Sequence, residues 1–335
     1  MKSFQVGKLS IGYLEKLLGA VPIRDQRVIV GPKVGEDAAV IDIGDKYLIA
    51  KTDPITFATD RIGWYAVNVN ANDIAVMGGT PKWFLATVLL PEGKTDKKLV
   101  DGIFKDIVNT CQELGITLCG GHTEISYALD RPIVVGQMLG EVAKHRLVAK
   151  SKIKPGCAIL LTKGIAIEGT AVVAREKGAQ LKGKLGARAR KRASNFLFDP
   201  GISVVNDARA AGRAATIYAM HDPTEGGLLG GLYELAKAGD TGLFIHADDV
   251  NVFPETKLVC REFQLDPMGL IASGALLIVV DAQDAARVRR ALERANIQSD
   301  VIGFTVNKAE GIRMRKGSDV LGIKPPAVDE ITKIF

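Results

Sequence analysis

Between Gly35 and Gly79 the chain gathers carboxylates and carboxamides in a pattern that a purely structural segment does not need. Asp37 and Asp53 flank two β-type runs, 38–43 and 46–51, joined at Gly44-Asp45, a turn-forming pair. With the turn centred there, antiparallel pairing opposes residues whose numbers sum to about 90, which sets Asp37 against Asp53. Like charges directly opposite one another are unfavourable, and a cation or a phosphate–metal complex relieves the conflict. A helical run follows, with Asp60 as its N-cap and Gly78-Gly79 ahead of Pro81 as its stop. It carries Asn68, Asn70, Asn72 and Asp73, residues whose side chains compete for backbone hydrogen bonds and so disfavour a helix interior. Clustered between Trp64, Val67, Ile74 and Met77, they predict a face turned towards a polar ligand. Any one of these acids alone reads as a turn acid or a solvated group; together they read as a site.

Two further stretches carry chemistry. Gly120-Gly121-His122-Thr123-Glu124 stands at the end of a short strand predicted over 116–119. The double glycine lets backbone approach a ligand closely, and the next three side chains can donate, accept or ligate. His221-Asp222-Pro223-Thr224-Glu225-Gly226-Gly227 reads as a polar turn in which Pro223 and Thr224 start a helix running to Lys237. Asp222 and Glu225 then stand where a helix N-terminus helps hold phosphate and its counterions. A strand over 158–162, the Lys163-Gly164 turn and a helix over 167–177 form either a third phosphate cradle or only a turn.

The elements that must position these groups alternate in type. Residues 10–18 form a short amphipathic helix, 82–90 a largely buried strand, 95–114 an amphipathic helix closed by Gly115, and 132–142 another strand. The basic stretch 143–156, ending in Pro155-Gly156, marks a boundary, which gives domains over 1–152 and 153–335. Helix is predicted over 204–217. Beyond Gly242 the order is strand 242–246, helix 254–264, strand 275–280, helix 283–294 and strand 299–304, an α/β or α+β second domain. Lys182–Arg192 is rich in basic residues without aromatic interleaving, so a solvated loop or helix end is the main reading and nucleic-acid contact the minor one.

At 335 residues the chain suits two domains and a substantial core. With 44 basic against 38 acidic residues it carries +6, a balance that suits anionic ligands such as nucleotides without selecting them. Cys111, Cys119, Cys157 and Cys260 show no metal-finger or disulfide-framework spacing. The N-terminus lacks signal-peptide features, and no apolar run approaches the roughly 18 residues of a membrane span. The expectation is a cytoplasmic protein.

The acidic hairpin, NDIAVMGG, GGHTE and HDPTEGG, in that order, together resemble the PurM or AIR synthase-related superfamily, most closely its HypE-like hydrogenase-maturation proteins. The resemblance runs from about residue 30 to 320. It implies an α/β (α+β) two-domain PurM-like fold: an N-terminal domain whose sheet pairs with a second copy into a β-barrel across a homodimer, and a C-terminal α/β domain. It also implies ATP and magnesium in a groove near that interface, and phosphorylation of an amide, carboxamide, phosphate-ester or selenide nucleophile. By likeness of motif, Asp37, Asp53, Asp73 and Asp222 are metal-binding residues, and Glu36, Asp37, Asn72, Asp73, Gly120, Gly121, Thr123 and Asp222 are nucleotide-binding. Glu36 stands where many relatives have Asp. His122 lies where HypE-like proteins and thiamine-monophosphate kinases often have Asp, AIR synthases Glu and selenophosphate synthases His; a neutral imidazole removes one anionic ligand. HypE proteins end in a tail whose terminal Cys is carbamoylated and dehydrated. This sequence ends AVDEITKIF, which implies that it does not run that reaction on its own tail.

The resulting expectation is ATP-dependent phosphoryl transfer to a small-molecule or amide acceptor, with hard oxygen ligands around magnesium and catalysis by positioning and charge neutralisation. His122 is either an acid or base near the acceptor or a structural histidine, and Lys163 either a γ-phosphate contact or a surface lysine. The competing reading is a non-catalytic nucleotide-binding partner in a maturation or assembly complex.

Overall fold

A computed structural model describes Gly7, residues 9–56, Ala58 and residues 60–335. The chain divides into two compact units. One holds Ile23–Gly31 and Asp37–Leu147; the other holds Pro32–Glu36 and Val148–Phe335, together with the described residues up to Pro22. Helix α1 (Ile11–Gly19) belongs to the latter.

The first unit contains β1 (Val28–Val30), β2 (Ala39–Asp42), β3 (Lys46–Ile55), α2 (Ile62–Val76), β4 (Thr80–Pro91), α3 (Lys97–Leu114), β5 (Thr117–Ser126) and β6 (Ile133–Ala143). Its six strands lie in the order β1-β2-β3-β6-β4-β5, with β4 and β5 parallel and the other pairs antiparallel. Every residue of α2 is buried, its polar Asn68, Asn70, Asn72 and Asp73 along with its apolar and small ones. It lies so close to the sheet that a Cβ on Gly136 would strike the Asn70 side chain, and one on Gly140 the Ile74 side chain. Glycine at those two β6 positions is therefore a packing requirement. Helix α3 packs on α2 with Ile103, Ile107 and Cys111; Asp96 caps it by accepting from the Leu99 N–H at 2.8 Å, and Gly115 ends it in the left-handed region.

Two expectations change here. Helix α2 is capped by Arg61 in the left-handed region, not by Asp60, because the Arg61 guanidinium meets Asp106 of α3 at 3.0 Å. A tertiary ion pair fixes the start that the sequence assigned to a local cap. GGHTE does not follow a strand: β5 runs through it to Ser126, extended by its parallel ladder with β4.

The second unit adds β7 (Cys157–Thr162), α4 (Ile167–Glu176), α5 (Ala187–Ser194), α6 (Val205–Ala214), β8 (Ile217–His221), α7 (Gly227–Ala238), β9 (Gly242–His246), α8 (Pro254–Phe263), β10 (Leu277–Asp281), α9 (Ala285–Arg294), β11 (Ser299–Val306), β12 (Ile312–Lys316) and β13 (Asp319–Gly322). Its sheet order is β13-β12-β9-β11-β7-β10-β8. Ile159, Leu161, Leu243, Ile245, Leu277 and Val279 pack against Leu228, Leu232 and Leu235 of α7, forming a core on one sheet face. Met220 and His221 lie in β8 and α7 begins only at Gly227, so residues 222–226 are a loop between them. The fold is thus a mixed α/β architecture with two sheets. Among the described residues, no helix is long and apolar enough to cross a membrane.

Candidate active site

The acidic residues of the first unit converge on Asp73. Buried in the last turn of α2, it has a carboxylate oxygen within 4.8 Å of one from the buried Asp37. Two such charges repel by roughly 3 to 4 kcal/mol at the effective dielectric of a protein site. The Lys51 ammonium partly offsets that repulsion, 3.3 Å from Asp73 and 3.5 Å from Asp53. Lys51 and Asp53 share one face of β3 with the buried Ile49 and Ile55, the face that meets α2.

The route to this cluster differs from the one the hairpin suggested. The β2–β3 ladder pairs Ala39 with Ala50 and Val40 with Ile49, one residue off the register that would oppose Asp37 and Asp53, and it stops short of Asp37. A one-residue step reverses which face a strand side chain occupies. Asp37 and Asp53 are therefore not a facing pair; Asp73 and Lys51 join them.

The carboxamides divide by role. The Asn68 amide donates to the Trp64 carbonyl at 3.0 Å and that of Asn70 to the Ala66 carbonyl at 2.8 Å, both one turn back in the helix. Asn70 also donates to the Asp53 carbonyl at 3.3 Å, tying β3 to α2 beside the acids. Asn72 is fully buried next to Asp73. Glu36 is half buried, its N–H closing a turn onto the Lys33 carbonyl at 3.2 Å. Lys51 and Asn70 are parts of the arrangement that sequence reasoning missed or misassigned. Only the period-two phase of β3 against the helix could have picked out Lys51.

On β5, the double glycine serves the sheet. Gly121, at φ 151°, lies against the Ala86 backbone of β4 so closely that a Cβ would overlap it, and the ladder slips in register just before. His122, Glu124 and Ser126 then form an exposed row: His122 Nε2 lies 3.1 Å from Glu124, and the Ser126 hydroxyl donates to Glu124 at 2.8 Å. These bonds hold the Glu124 carboxyl below the ordinary glutamate range. Gly120 and Thr123 lie on the same exposed edge strand.

In the second unit Lys163 is not a surface lysine. It is buried, 3.3 Å from Asp207, and donates to the carbonyls of Ser203 at 2.8 Å and Gly201 at 3.4 Å. With its three N–H donors so engaged, the ammonium has a structural explanation and none is left to reach a γ-phosphate. The adjoining turn is filled as well: Asn251 donates to the Lys163 carbonyl at 2.6 Å, and Phe253 and Asn251 crowd Gly164. Of the two readings the sequence left open here, cradle or turn, these contacts favour the turn. Asp222 is buried at the start of the 222–226 loop, beside His221, whose Nε2 lies 3.1 Å from Glu234. Glu168, buried in the first turn of α4, is a titrating group no motif announced: desolvation pushes it up to about 7.

Comparison with known proteins gives this fold a context. Residues 35–142 match the family profile of the AIR synthase related protein N-terminal domain, and residues 154–315 that of its C-terminal domain. A putative hydrogenase expression/formation protein of Methanocaldococcus jannaschii is 27% identical over 292 residues, covering 84% of this chain and 83% of that protein. A selenide, water dikinase of Yersinia pestis is 29% identical over 262 residues, covering 74% of this chain and 69% of the dikinase. The crystal structure of a hydrogenase maturation protein HypE in complex with ATP superposes with a TM-score of 0.67 at 18% identity, over 94% of this chain and 91% of that one.

Proposed function

Since the chain belongs to the AIR synthase-related family, we propose that it is an ATP- and magnesium-dependent phosphoryl-transfer enzyme that activates an oxygen or similar acceptor on a small molecule or amide. The observation that carries this reading is Asp73, which has the Asp37 carboxylate within 4.8 Å and shares the Lys51 ammonium with Asp53. Carboxylates packed to this density need positive charge, and their hard oxygen donors suit magnesium. Lys51 already supplies one cation at the place where the acids demand it. The names of a dikinase relative and of an ATP-bound structural neighbour point the same way.

In this proposal Asp37, Asp53 and Asp73 hold the metal, with Asp222 added on its motif alone. The bound ion neutralises phosphate charge that the acids would otherwise repel. Glu36, Asn72, Gly120, Gly121 and Thr123 are proposed on the nucleotide side. His122 exchanges a proton with the acceptor, its ring held by Glu124 at 3.1 Å. Burial of α2 fixes Asp73 before any ligand arrives, so the chain's contribution is preorganised charge. A homodimer is proposed, since the family resemblance implies a barrel across two copies, and the exposed β5 edge is the surface we propose for it.

One observation favours the second reading, a nucleotide-binding partner without turnover: Lys51 lets the acids coexist in the absence of metal. ADP release, measured with magnesium against carboxamides, thiamine monophosphate, selenide and carbamoyl compounds, separates the two. Acceptor-stimulated release that Asp73→Asn abolishes supports the enzyme. Nucleotide binding with no release across the whole set supports the partner.

A further inference from the structure

Beyond β13 the chain ends in a segment that is fastened to the second unit at specific atoms. Asp329 is buried there, and its carboxylate accepts three backbone N–H bonds: from Gly226 at 2.6 Å, from Ile331 at 2.8 Å and from Ile271 at 3.3 Å. Gly226 is the residue that caps α7 and closes the 222–226 loop. Ile271 ends the segment 266–271, which is itself joined to that loop. Ala272 donates to the Thr224 carbonyl at 3.2 Å, and Leu229 to the Met268 carbonyl at 3.1 Å. Next to Asp329, the Glu330 N–H donates to the Gly269 carbonyl at 3.2 Å, while its carboxylate accepts from the Asp266 N–H at 3.0 Å. Ile331 is buried beneath.

The free N–H groups of a helix start are ordinarily met by a Ser, Thr, Asp or Asn at the cap itself. Here the acceptor lies 103 positions away in sequence. A local cap would stabilise α7 as well; a remote one also locks the loop to the 266–271 segment. Two of the carboxylate's three donors come from those two segments, so the loop cannot shift against its neighbour without breaking a charge-assisted bond.

We propose that Asp329 is a positioning residue: through Gly226 and Ile271 it sets the loop that Asp222 opens, so the segment 329–331 controls the placement of Asp222. This rests on the proposed role of Asp222 in holding magnesium. Partners that orient metal ligands change metal affinity by roughly 10- to 100-fold when removed. Asp329→Asn keeps the shape but replaces one accepting oxygen with a donor.

The test titrates magnesium at fixed concentration of a fluorescent, non-hydrolysable ATP analogue with the full-length protein. For Asp329→Asn the magnesium needed for half-saturation rises about tenfold or more, while nucleotide affinity at saturating magnesium is kept. Glu330→Gln, which loosens the same segment without touching Gly226, lowers the melting temperature but leaves the magnesium requirement unchanged. An unchanged requirement in Asp329→Asn, when Asp222→Asn raises it, overturns the positioning role alone. An unchanged requirement in Asp222→Asn overturns the metal reading of Asp222 and this proposal with it. Should Asp329→Asn not fold, amide exchange on the unaltered protein decides: Gly226 and Ile271 are protected together for hours, and rapid exchange at Gly226 overturns the clamp.

Discussion

Asp73 stands on a buried helix with the Asp37 carboxylate within 4.8 Å and a lysine at 3.3 Å, a balance that a single substitution should tip. Asp73→Asn is expected to reduce magnesium-dependent nucleotide turnover by about 100-fold or more, measured as acceptor-stimulated ADP release. Lys51→Met removes the resident cation and leaves the acids to repel, so it should lower metal-free stability by about 1–3 kcal/mol. Its melting temperature should then rise with magnesium more steeply than that of the unaltered protein, because the ion binds only the folded form. Equal shifts in both proteins would remove the link between Lys51 and the metal. Glu168 supplies a pH signature. Its folded-state value of about 7 exceeds the ordinary 4.5, so the native state holds that proton more tightly than the unfolded chain. Stability from this group is therefore complete below about pH 4.5 and is lost as pH rises to about 7. The total is roughly 3 kcal/mol at 1.4 kcal/mol per pH unit. Denaturant unfolding from pH 4.5 to 8 should show that decline in the unaltered protein and a flatter profile in Glu168→Gln.

Helix α2 shows how elements impose what residues cannot specify alone. It lies on β6 only because Gly136 and Gly140 present no Cβ, so Gly140→Val should cost about 2 kcal/mol or more and lower the melting temperature without a local change in charge. The Gly44 turn and both arms of the acidic hairpin were legible from alternation and turn residues. Its register was not, because a one-residue slip leaves composition and turn chemistry almost unchanged while moving Asp53 to the other face. GGHTE was misread for a related reason. A double glycine usually signals a strand end, yet here the parallel β4 ladder extends β5 through it, with Gly121 packed onto Ala86. Lys163 and Gly164 carried the composition of a phosphate turn, and the sequence could not show that Asp207, Asn251 and Phe253, all remote along the chain, pack against them.

At the scale of the whole molecule, the exposed edge of β5 bears on assembly. Ile125 and Tyr127 are 63% and 85% exposed on or just beyond that strand, large apolar groups of the kind found at contacts between copies. Sedimentation at micromolar concentration is expected to give twice the 35.8 kDa chain mass, and Ile125→Glu to return the monomer; a monomer in the unaltered protein would sink the proposed homodimer. The sequence by itself determined the mixed α/β order of elements and the short acidic motifs, since periodicity, turn residues and motif chemistry are local properties. The family followed from the order of those motifs. Only the tertiary structure decided that Lys51 joins Asp53 to Asp73, that Lys163 is closed on Asp207, and that Asp329 reaches back to Gly226. Each of those contacts depends on strand register or on packing between distant segments, and charge acts through distance in space rather than along the chain.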